Sequence, residues 1–336
     1  MAEVRFAVIY LAAFAGASFT ALLAMPLWRK WCLRTGLVDD PGHRKIHDEP
    51  MPLAGGLTVM TALAIPTLLA VFILLLWPQL AQKIPPLNAD TTPLLTHGVH
   101  RRSLELTAIL VGAVGMLLVG LWDDKHESRP AVKFFWQFAV AALVAASGAR
   151  ITLFVPSIVF SYAVTILWIL TVINAFNFMD NMNGLCGGLG AIGAFYFGLA
   201  AATAAVPQYL VALIAFLTSG ALAGFLPHNF PRAKSFLGDS GSHLVGYLLA
   251  VLAILPHFYT PRNPHALAVL TPLLILAVPL GDLVWVVILR TRMGKPFYIG
   301  DTNHLSHRLV RLGLSRTRAV LVIWLLAAAF GALAFA

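Results

Sequence analysis

Ten long apolar segments divide the sequence, and they constrain its fold more than any other feature. They lie near residues 5–27, 55–77, 104–122, 132–147, 157–175, 185–205, 208–226, 241–257, 266–289 and 318–335. Runs of this length match the hydrocarbon core of a bilayer, where backbone polar groups must be satisfied within a helix. Of the 336 residues, 59% are hydrophobic and 11% are charged, which is outside the range of soluble domains. The sequence therefore predicts an all-α, polytopic integral membrane protein, with residues 1–336 in a single domain.

The positive charges are distributed unequally between the loops. When the loops between the predicted spans are numbered in order, the odd-numbered ones contain 17 of the 23 Lys and Arg residues. Because Lys and Arg are enriched in cytoplasmic loops, we expect the odd-numbered loops in the cytoplasm and both termini outside. The first apolar run is expected to be a retained span and not a signal peptide, since the basic stretch WRKWCLR follows it without a cleavage site.

The same side of the membrane is predicted to hold five polar clusters. They are DDPGHRKIHDEPMPLAGG in loop one, GLWDDKHESRP after span three, NAFNFMDNMNGL after span five, HNFPRAKSFLGDSGS in loop seven and GDTNHLSHRLVRLG in loop nine. We expect these clusters to form one site at the cytoplasmic surface. A transport path would instead need ionisable groups at mid-membrane. Asp282 is the main such group, and the nearby Pro279 and Gly281 favour a kink that opens a groove.

Two of the clusters place carboxylates at helix ends. Asp123 and Asp124 are adjacent after span three, where they could supply a metal ligand and a general base, or could form a solvated helix end. Asp239 lies in the Gly-rich turn before span eight. Backbone N–H groups at such a turn suit phosphate, and the carboxylate suits a divalent cation. The alternative is an ordinary helix N-cap.

The cluster after span five has a helical spacing. Asn174, Asn177 and Asp180 follow one another at intervals of three residues, so they lie near one helix face. Amides hydrogen-bond bases and sugar hydroxyls, and an aspartate can bind Mg²⁺. The alternative is that these side chains form hydrogen bonds between neighbouring spans.

Histidines and basic residues dominate loop nine. His304, His307 and Arg308 have no cysteine partner and no H-E-x-x-H pattern, so binding of a diphosphate is favoured over zinc. The alternative is a basic loop that faces lipid headgroups. Lys45 and His47 in loop one allow the same two interpretations.

Taken in order and spacing, these motifs resemble those of the polyprenyl-phosphate N-acetylhexosamine-1-phosphate transferases of glycosyltransferase family 4. The resemblance runs from loop one through loop nine. It implies that a lipid phosphate attacks the β-phosphorus of a UDP-sugar, that UMP leaves, and that a lipid-diphosphate-sugar forms to start cell-surface glycan assembly. It also implies a requirement for Mg²⁺, with Mn²⁺ as a candidate substitute.

The motifs, together with this resemblance, indicate roles for individual residues. Catalytic roles are expected for Asp123, Asp124 and Asp180, and metal binding for Asp180 and Asp239. Substrate binding is expected of Asn174, Asn177, Asn183, Lys45, His47, Lys133, His304, His307 and Arg308.

The sequence departs from the family pattern at two motifs. Family members often have D-G-x-D-G-L where this chain has Asp180-Asn-Met-Asn183-Gly-Leu, and the usual H-x-H-H has Ser306 at its third position. RKIHDEPMPLAGG resembles the branch that transfers GlcNAc-1-phosphate, although Leu53 stands where that branch often has a basic residue. We therefore expect a UDP-N-acetylhexosamine donor and an undecaprenyl phosphate acceptor.

Other functions remain alternatives. A phospho-N-acetylmuramoyl-pentapeptide transferase-like enzyme is a relative with the same chemistry. A membrane transporter and an aromatic prenyltransferase belong to other classes; the latter would need D-x-x-x-D patterns on two helices. We expect a bacterial cytoplasmic membrane protein whose active site faces the cytoplasm, with no nucleic-acid partner because basic and aromatic residues do not alternate. A homodimer is left open, and Cys32 is expected to be reachable from the cytoplasm.

Overall fold

A computed structural model of the protein describes residues 2–40, 49–84, 87, 91–126, 128–256, 258, 266–296, 298 and 300–335. This part of the chain is helical apart from two short strands. The helices are α1 (Ala2–Thr35), α2 (Gly55–Val71), α3 (Pro78–Lys83), α4 (Thr91–Arg101), α5 (Ser103–His126), α6 (Pro130–Ser147), α7 (Ile158–Met179), α8 (Leu185–Thr203), α9 (Tyr209–Asn229), α10 (Gly238–Ile254), α11 (Thr271–Ile275), α12 (Ala277–Arg292), α13 (Leu305–Arg311) and α14 (Arg316–Leu333). A π-helical turn (Phe72–Leu76) continues α2, and a 3₁₀ turn (Ala266–Leu270) precedes α11.

Eight of the described helices are long and apolar enough to cross a membrane. They are α1, α2, α5, α6, α7, α8, α9 and α14. The pair α11 and α12, bent by 71° at its break, would be a ninth span. The shorter apolar helix α10, with 17 residues, occupies the remaining predicted segment. The prediction of an all-α, polytopic membrane protein is confirmed.

Two helices differ from the predicted segments for local reasons. α1 continues to Thr35, beyond the apolar run, and ends where Gly36 adopts a φ of 70°, a left-handed conformation that glycine supplies at helix ends. The ninth segment is broken at Leu276, three residues before Pro279. Proline lacks the backbone N–H that would continue the hydrogen-bond ladder across the break.

Helix α10 forms the centre of the bundle. It packs against α2, α5, α7 and α8, and 15 of its 17 residues are buried. Gly120 of α5 touches the backbone of Ser240 so closely that a Cβ at Gly120 would overlap it. Because of this close approach, the end of α5 lies directly against the start of α10.

Small residues also join α1 to α9. Gly220 and Gly224 of α9 lie against the backbone of Phe14 and Ser18 in α1, where a Cβ would overlap. The Ser18 hydroxyl donates a hydrogen bond to the Gly220 carbonyl at 2.8 Å. A G-x-x-x-G spacing of this kind lets two membrane helices pack backbone against backbone.

Two short strands pair within loop one, and hydrogen bonds attach the end of this loop to loop seven. β1 (Val38–Asp39) pairs antiparallel with β2 (Met51–Pro52). The Ser235 hydroxyl donates to the Pro52 carbonyl at 2.6 Å, and the Gly55 backbone N–H donates to the Phe236 carbonyl at 3.1 Å. Loops one and seven therefore lie side by side at the same end of the bundle.

Candidate active site

A cleft of about 1210 Å³ opens at one end of the helix bundle. It lies where α1, α5, α7 and α9 end and where α6, α10 and α14 begin. Eight of the sequence-predicted site residues line it: Asp123, Asp124, Lys133, Asn177, Asp180, Asn183, Asp239 and His307. Residues from loops one, three, seven and nine and from the end of α7 thus share a single cavity.

Asp124 holds the start of α10. Its Oδ1 accepts a hydrogen bond from the Asp239 backbone N–H at 2.7 Å, and its Oδ2 accepts one from Ser240 at 3.1 Å. Gly238 has a φ of 74°, and a Cβ there would lie 2.8 Å from Asp124 Oδ2. A carboxylate at a helix N-terminus satisfies the free N–H groups and the helix dipole. The carboxylate that caps this helix is therefore that of Asp124, and the Asp239 side chain is left for the cleft.

Lys133 connects two of the carboxylates. Its Nζ pairs with Asp123 Oδ2 and lies 3.0 Å from Asp239 Oδ2. Asp123, only 4% exposed, also accepts a hydrogen bond from the Ser128 backbone N–H at 2.8 Å. Lys133, in the first turn of α6, thus places one positive charge between two negative ones, which offsets their repulsion.

The two asparagines of α7 have different surroundings. Asn177 Nδ2 donates to Asp239 Oδ1 at 2.8 Å and to the Ser242 hydroxyl at 3.0 Å. Asn174, one turn earlier, donates to Gln137 of α6 at 2.9 Å and to the Leu170 carbonyl at 2.8 Å, and it is not among the cleft residues. Asn177 therefore orients an aspartate of the cleft, whereas Asn174 joins two helices. Binding of substrate by Asn174 stays a prediction.

Asp180 ends α7 and lies in the cleft. Burial raises the pKa of Asp180 to about 8, and the negative charges of Asp239 and Asp124 add to that shift. Asn183 donates to the Pro231 carbonyl at 3.3 Å. The cleft thus concentrates negative charge that a cation would relieve. Within the described part of the chain, however, no three His, Cys, Asp or Glu side chains are arranged to hold a metal by themselves.

Loop nine places one histidine in the cleft and one outside it. His307 lines the cleft. Burial lowers the pKa of His307, and the nearby His304 and Arg316 lower it further. His304 is buried against Asp282, and Arg308 stacks on exposed Trp285 with its guanidinium 4.7 Å from the ring centroid. Neither His304 nor Arg308 lines the cleft, and their binding of substrate stays a prediction.

Two predicted site residues cannot be placed, and three cleft residues were not predicted. Lys45 and His47 lie outside the described residues. The cleft also contains Asp39, Asp40 and Arg316, which sequence reasoning missed as site residues. Arg316 belongs to the most basic loop and was counted only toward orientation. Its place nine residues after His307, just before the last apolar segment, is the sequence signal that could have indicated it. Among the described residues it is the arginine that lines the cleft.

Comparison with known proteins places this cleft in a family. Residues 106–257 match glycosyl transferase family 4. The probable undecaprenyl-phosphate N-acetylglucosaminyl 1-phosphate transferase of Bacillus subtilis (strain 168) is 30% identical, over 94% of this chain and 81% of its own length. The decaprenyl-phosphate N-acetylglucosaminephosphotransferase of Mycobacterium tuberculosis (strain ATCC 25618 / H37Rv) is 34% identical, over 89% of this chain and 76% of its own.

A third relative covers as much of the chain. The undecaprenyl-phosphate alpha-N-acetylglucosaminyl 1-phosphate transferase of Haemophilus influenzae is 30% identical, over 92% of this chain and 81% of its own length. Each of the three relatives is matched over 89% or more of this chain. The resemblance of the sequence motifs is thereby confirmed: the chain belongs to glycosyl transferase family 4, the family of polyprenyl-phosphate N-acetylhexosamine-1-phosphate transferases.

Proposed function

We propose that this protein transfers GlcNAc-1-phosphate from UDP-GlcNAc to undecaprenyl phosphate at the cytoplasmic face of a bacterial membrane. An oxygen of the lipid phosphate attacks the β-phosphorus, and the bond from that phosphorus to the bridging oxygen of the α-phosphate breaks. UMP leaves with the electron pair, and undecaprenyl-diphosphate-GlcNAc forms. The relatives' names support the donor sugar and the polyprenyl acceptor.

One observation carries this proposal. Carboxylates from α5, α7 and α10 share a cleft with amides and basic groups at the ends of membrane helices. A phosphate attached to a polyprenyl chain lies at that level, and a nucleotide reaches it from the aqueous phase. Phosphoryl transfer depends mainly on positioning and on neutralisation of charge, which a cleft with this composition can supply.

The donor set fits a bound Mg²⁺, with Mn²⁺ as a substitute. Mg²⁺ is usually held by one or two carboxylates together with waters and substrate phosphates, and it does not need a cage made only of protein ligands. Asp180 and Asp239 lie in the cleft, and burial together with the charges of Asp239 and Asp124 raises the pKa of Asp180. We assign the metal to Asp180 and Asp239; when bound, it would neutralise charge on the diphosphate.

The remaining cleft residues have separate roles in this proposal. Asp123 orients the lipid phosphate and accepts its proton when it arrives protonated, in a single displacement. Lys133 supplies positive charge beside Asp123 and Asp239. Asn177 fixes the rotamer of Asp239 through its hydrogen bond. His307 and Arg316, which also line the cleft, bind the diphosphate of the donor.

The cytoplasmic orientation is supported by the distribution of charge. Lys125, Lys133 and Arg316 line the cleft, and 17 of the 23 Lys and Arg residues belong to the odd-numbered loops between the predicted spans, which also supply most of the cleft residues. Because such residues are retained on the cytoplasmic side, the cleft faces the compartment that supplies nucleotide sugars.

A membrane assay with alternative donors tests the function. Membranes that contain the protein are incubated with undecaprenyl phosphate and UDP-[³H]GlcNAc, and label extracted into organic solvent is counted. We expect extraction that depends on the lipid and on Mg²⁺. Robust transfer from UDP-N-acetylmuramoyl-pentapeptide alone would assign the chain to the peptidoglycan branch. Passage of UDP-GlcNAc into sealed vesicles without any lipid product would indicate a transporter.

A further inference from the structure

A buried polar cluster lies just outside the cleft and holds α13 in place. Asp282 of α12 is 5% exposed. Its Oδ2 lies 2.6 Å from His304 Nδ1, and its Oδ1 accepts a hydrogen bond from the Leu305 backbone N–H at 2.6 Å. The carboxylate thus binds both the residue before α13 and the first residue of that helix. This structural role explains why Asp282 lies in an apolar span, and no role in transport is needed to explain it.

The other side of α13 is attached to the site itself. The Ser306 hydroxyl donates a hydrogen bond of 2.6 Å to Asn181 Oδ1, and Ser306 is fully buried. Asn181 follows Asp180 directly, and its Nδ2 donates to the Phe178 carbonyl at 2.7 Å. The amide therefore has both of its ends engaged, one to its own helix end and one to α13.

Both partners of this hydrogen bond depart from the family pattern. Asn181 stands where D-G-x-D-G-L has its first glycine, and Ser306 stands where H-x-H-H has its third residue, a histidine. One departure adds a side chain beside Asp180, and the other shortens a side chain on α13. The two changes meet in a single short hydrogen bond, which indicates that they compensate for each other.

A short helix needs such contacts. α13 has seven residues, and a helix of that length is not stable in isolation. His307, which lines the cleft, is the residue after Ser306. The orientation of His307 therefore depends on how Asp282 and Asn181 hold the two preceding residues.

We propose that Asn181 and Ser306 are a matched pair of positioning residues. Their hydrogen bond attaches α13 to the turn between α7 and α8 (residues 180–184), and this attachment places His307 against the donor nucleotide. The proposal rests on the proposed transferase function for its kinetic test. In this chain the hydrogen bond from Ser306 to Asn181 attaches α13 at positions where the family pattern has a histidine and a glycine. Its consequence is that neither residue can be exchanged alone without loss.

A double-mutant cycle on the intact protein tests this pairing. Ser306→Ala and Asn181→Ala are prepared singly and together, with Thr107→Ala as a control that removes an exposed hydroxyl from the far end of α5. We expect each single variant to raise the KM for UDP-GlcNAc about tenfold and the double variant to be no worse than either, because partners in one hydrogen bond are not additive. The KM for undecaprenyl phosphate should stay within about twofold of wild type.

A family-pattern exchange gives a second, independent result. Ser306→His alone should collide with Asn181 and lose activity, whereas Ser306→His combined with Asn181→Gly should recover at least part of it. The thermal midpoint in detergent should follow the same pattern and requires no activity. Additive losses in the alanine cycle, or an exchange variant worse than both single variants, would overturn the pairing. An inactive wild-type protein with non-additive midpoints would instead count against the proposed function alone.

Discussion

At the scale of single residues, neighbouring side chains of the same type have different tasks. Asp123 and Asp124 are adjacent, yet one pairs with Lys133 and the other caps α10. Asn177 and Asn174 are one turn apart, yet only the first bonds to a cleft aspartate. The helical spacing predicts which residues share a face. Which of them reaches the cleft depends on neighbours such as Gln137, and these are distant in the sequence.

Asp239 should be the residue that is least tolerant of a change in charge. Asp239→Asn keeps the shape of the side chain and its hydrogen bond with Asn177 but removes a negative ligand. We expect turnover to fall at least about a hundredfold and the Mg²⁺ requirement to rise. Steady-state assays across Mg²⁺ concentrations measure both quantities. Glu105→Gln, in the first turn of α5 and so at the end of that helix far from the cleft, is the control. Near-normal turnover of Asp239→Asn at ordinary Mg²⁺ would show that Asp239 does not bind the metal.

Arg316 should contribute to binding of the donor. It lines the cleft near His307, where a guanidinium can form paired hydrogen bonds with a diphosphate. We expect Arg316→Ala to raise the KM for UDP-GlcNAc about tenfold or more, since a hydrogen bond to a charged group contributes about 1.5–3 kcal/mol. Arg318→Ala, two residues along the same helix and not among the cleft residues, is the matched control. Equal effects of the two substitutions would indicate a general effect of surface charge.

At the scale of helices and strands, sequence patterns predict where helices occur better than they predict where a helix is interrupted. Each predicted apolar segment corresponds to helical structure, but the ninth is two helices with a 71° bend. Residues 273–278 around the break are all apolar, so hydropathy alone cannot locate it, although Pro279 and Gly281 favour a kink nearby. The strands β1 and β2 have two residues each and are stabilised by loop seven, a contact that no local pattern encodes. α4 lies between the second and third predicted apolar segments, where hydropathy gives no signal for a helix.

The packing of α1 on α9 should require glycine at position 220, where there is no room for a methyl group. Gly220→Ala introduces a methyl group that would overlap the backbone of Phe14, whereas Gly16→Ala, on α1, meets no atom within 4 Å. Overpacking of this kind typically costs about 1–3 kcal/mol. We therefore expect a lower thermal midpoint in detergent for Gly220→Ala and an unchanged one for Gly16→Ala. Equal midpoints for the two variants would show that these helices can separate without cost.

At the scale of the whole molecule, loops far apart in sequence meet at one end of a bundle. α10 is central to this arrangement, because its buried start receives the Asp124 cap and the contacts of Asn177. The alternation of spans and the excess of Lys and Arg in odd-numbered loops predict that the polar motifs share one side. They cannot predict the distances between those motifs, since these depend on close helix contacts such as that of Gly120 with Ser240.

The orientation of the bundle is testable with cysteines. The native thiols are unsuitable reporters, because Cys32 and Cys186 are both buried; the expectation that Cys32 is reachable is wrong for this reason. In a background with both cysteines replaced by alanine, Ala205→Cys should react with an impermeant maleimide in intact spheroplasts. Arg232→Cys should react only after lysis, because its loop is predicted to be cytoplasmic. The reverse pattern would place the cleft on the side without nucleotide sugars.

The most direct test of the central claim follows the fate of one phosphorus atom. The purified protein is incubated with undecaprenyl phosphate and UDP-GlcNAc labelled with ³²P at the β-phosphate, and the lipid and nucleotide products are separated. Transfer of sugar-1-phosphate predicts that the label enters the lipid and that UMP appears in equimolar amount. Release of labelled UDP, which would mean that the sugar moves without its phosphate, or the absence of any labelled lipid, would contradict the account.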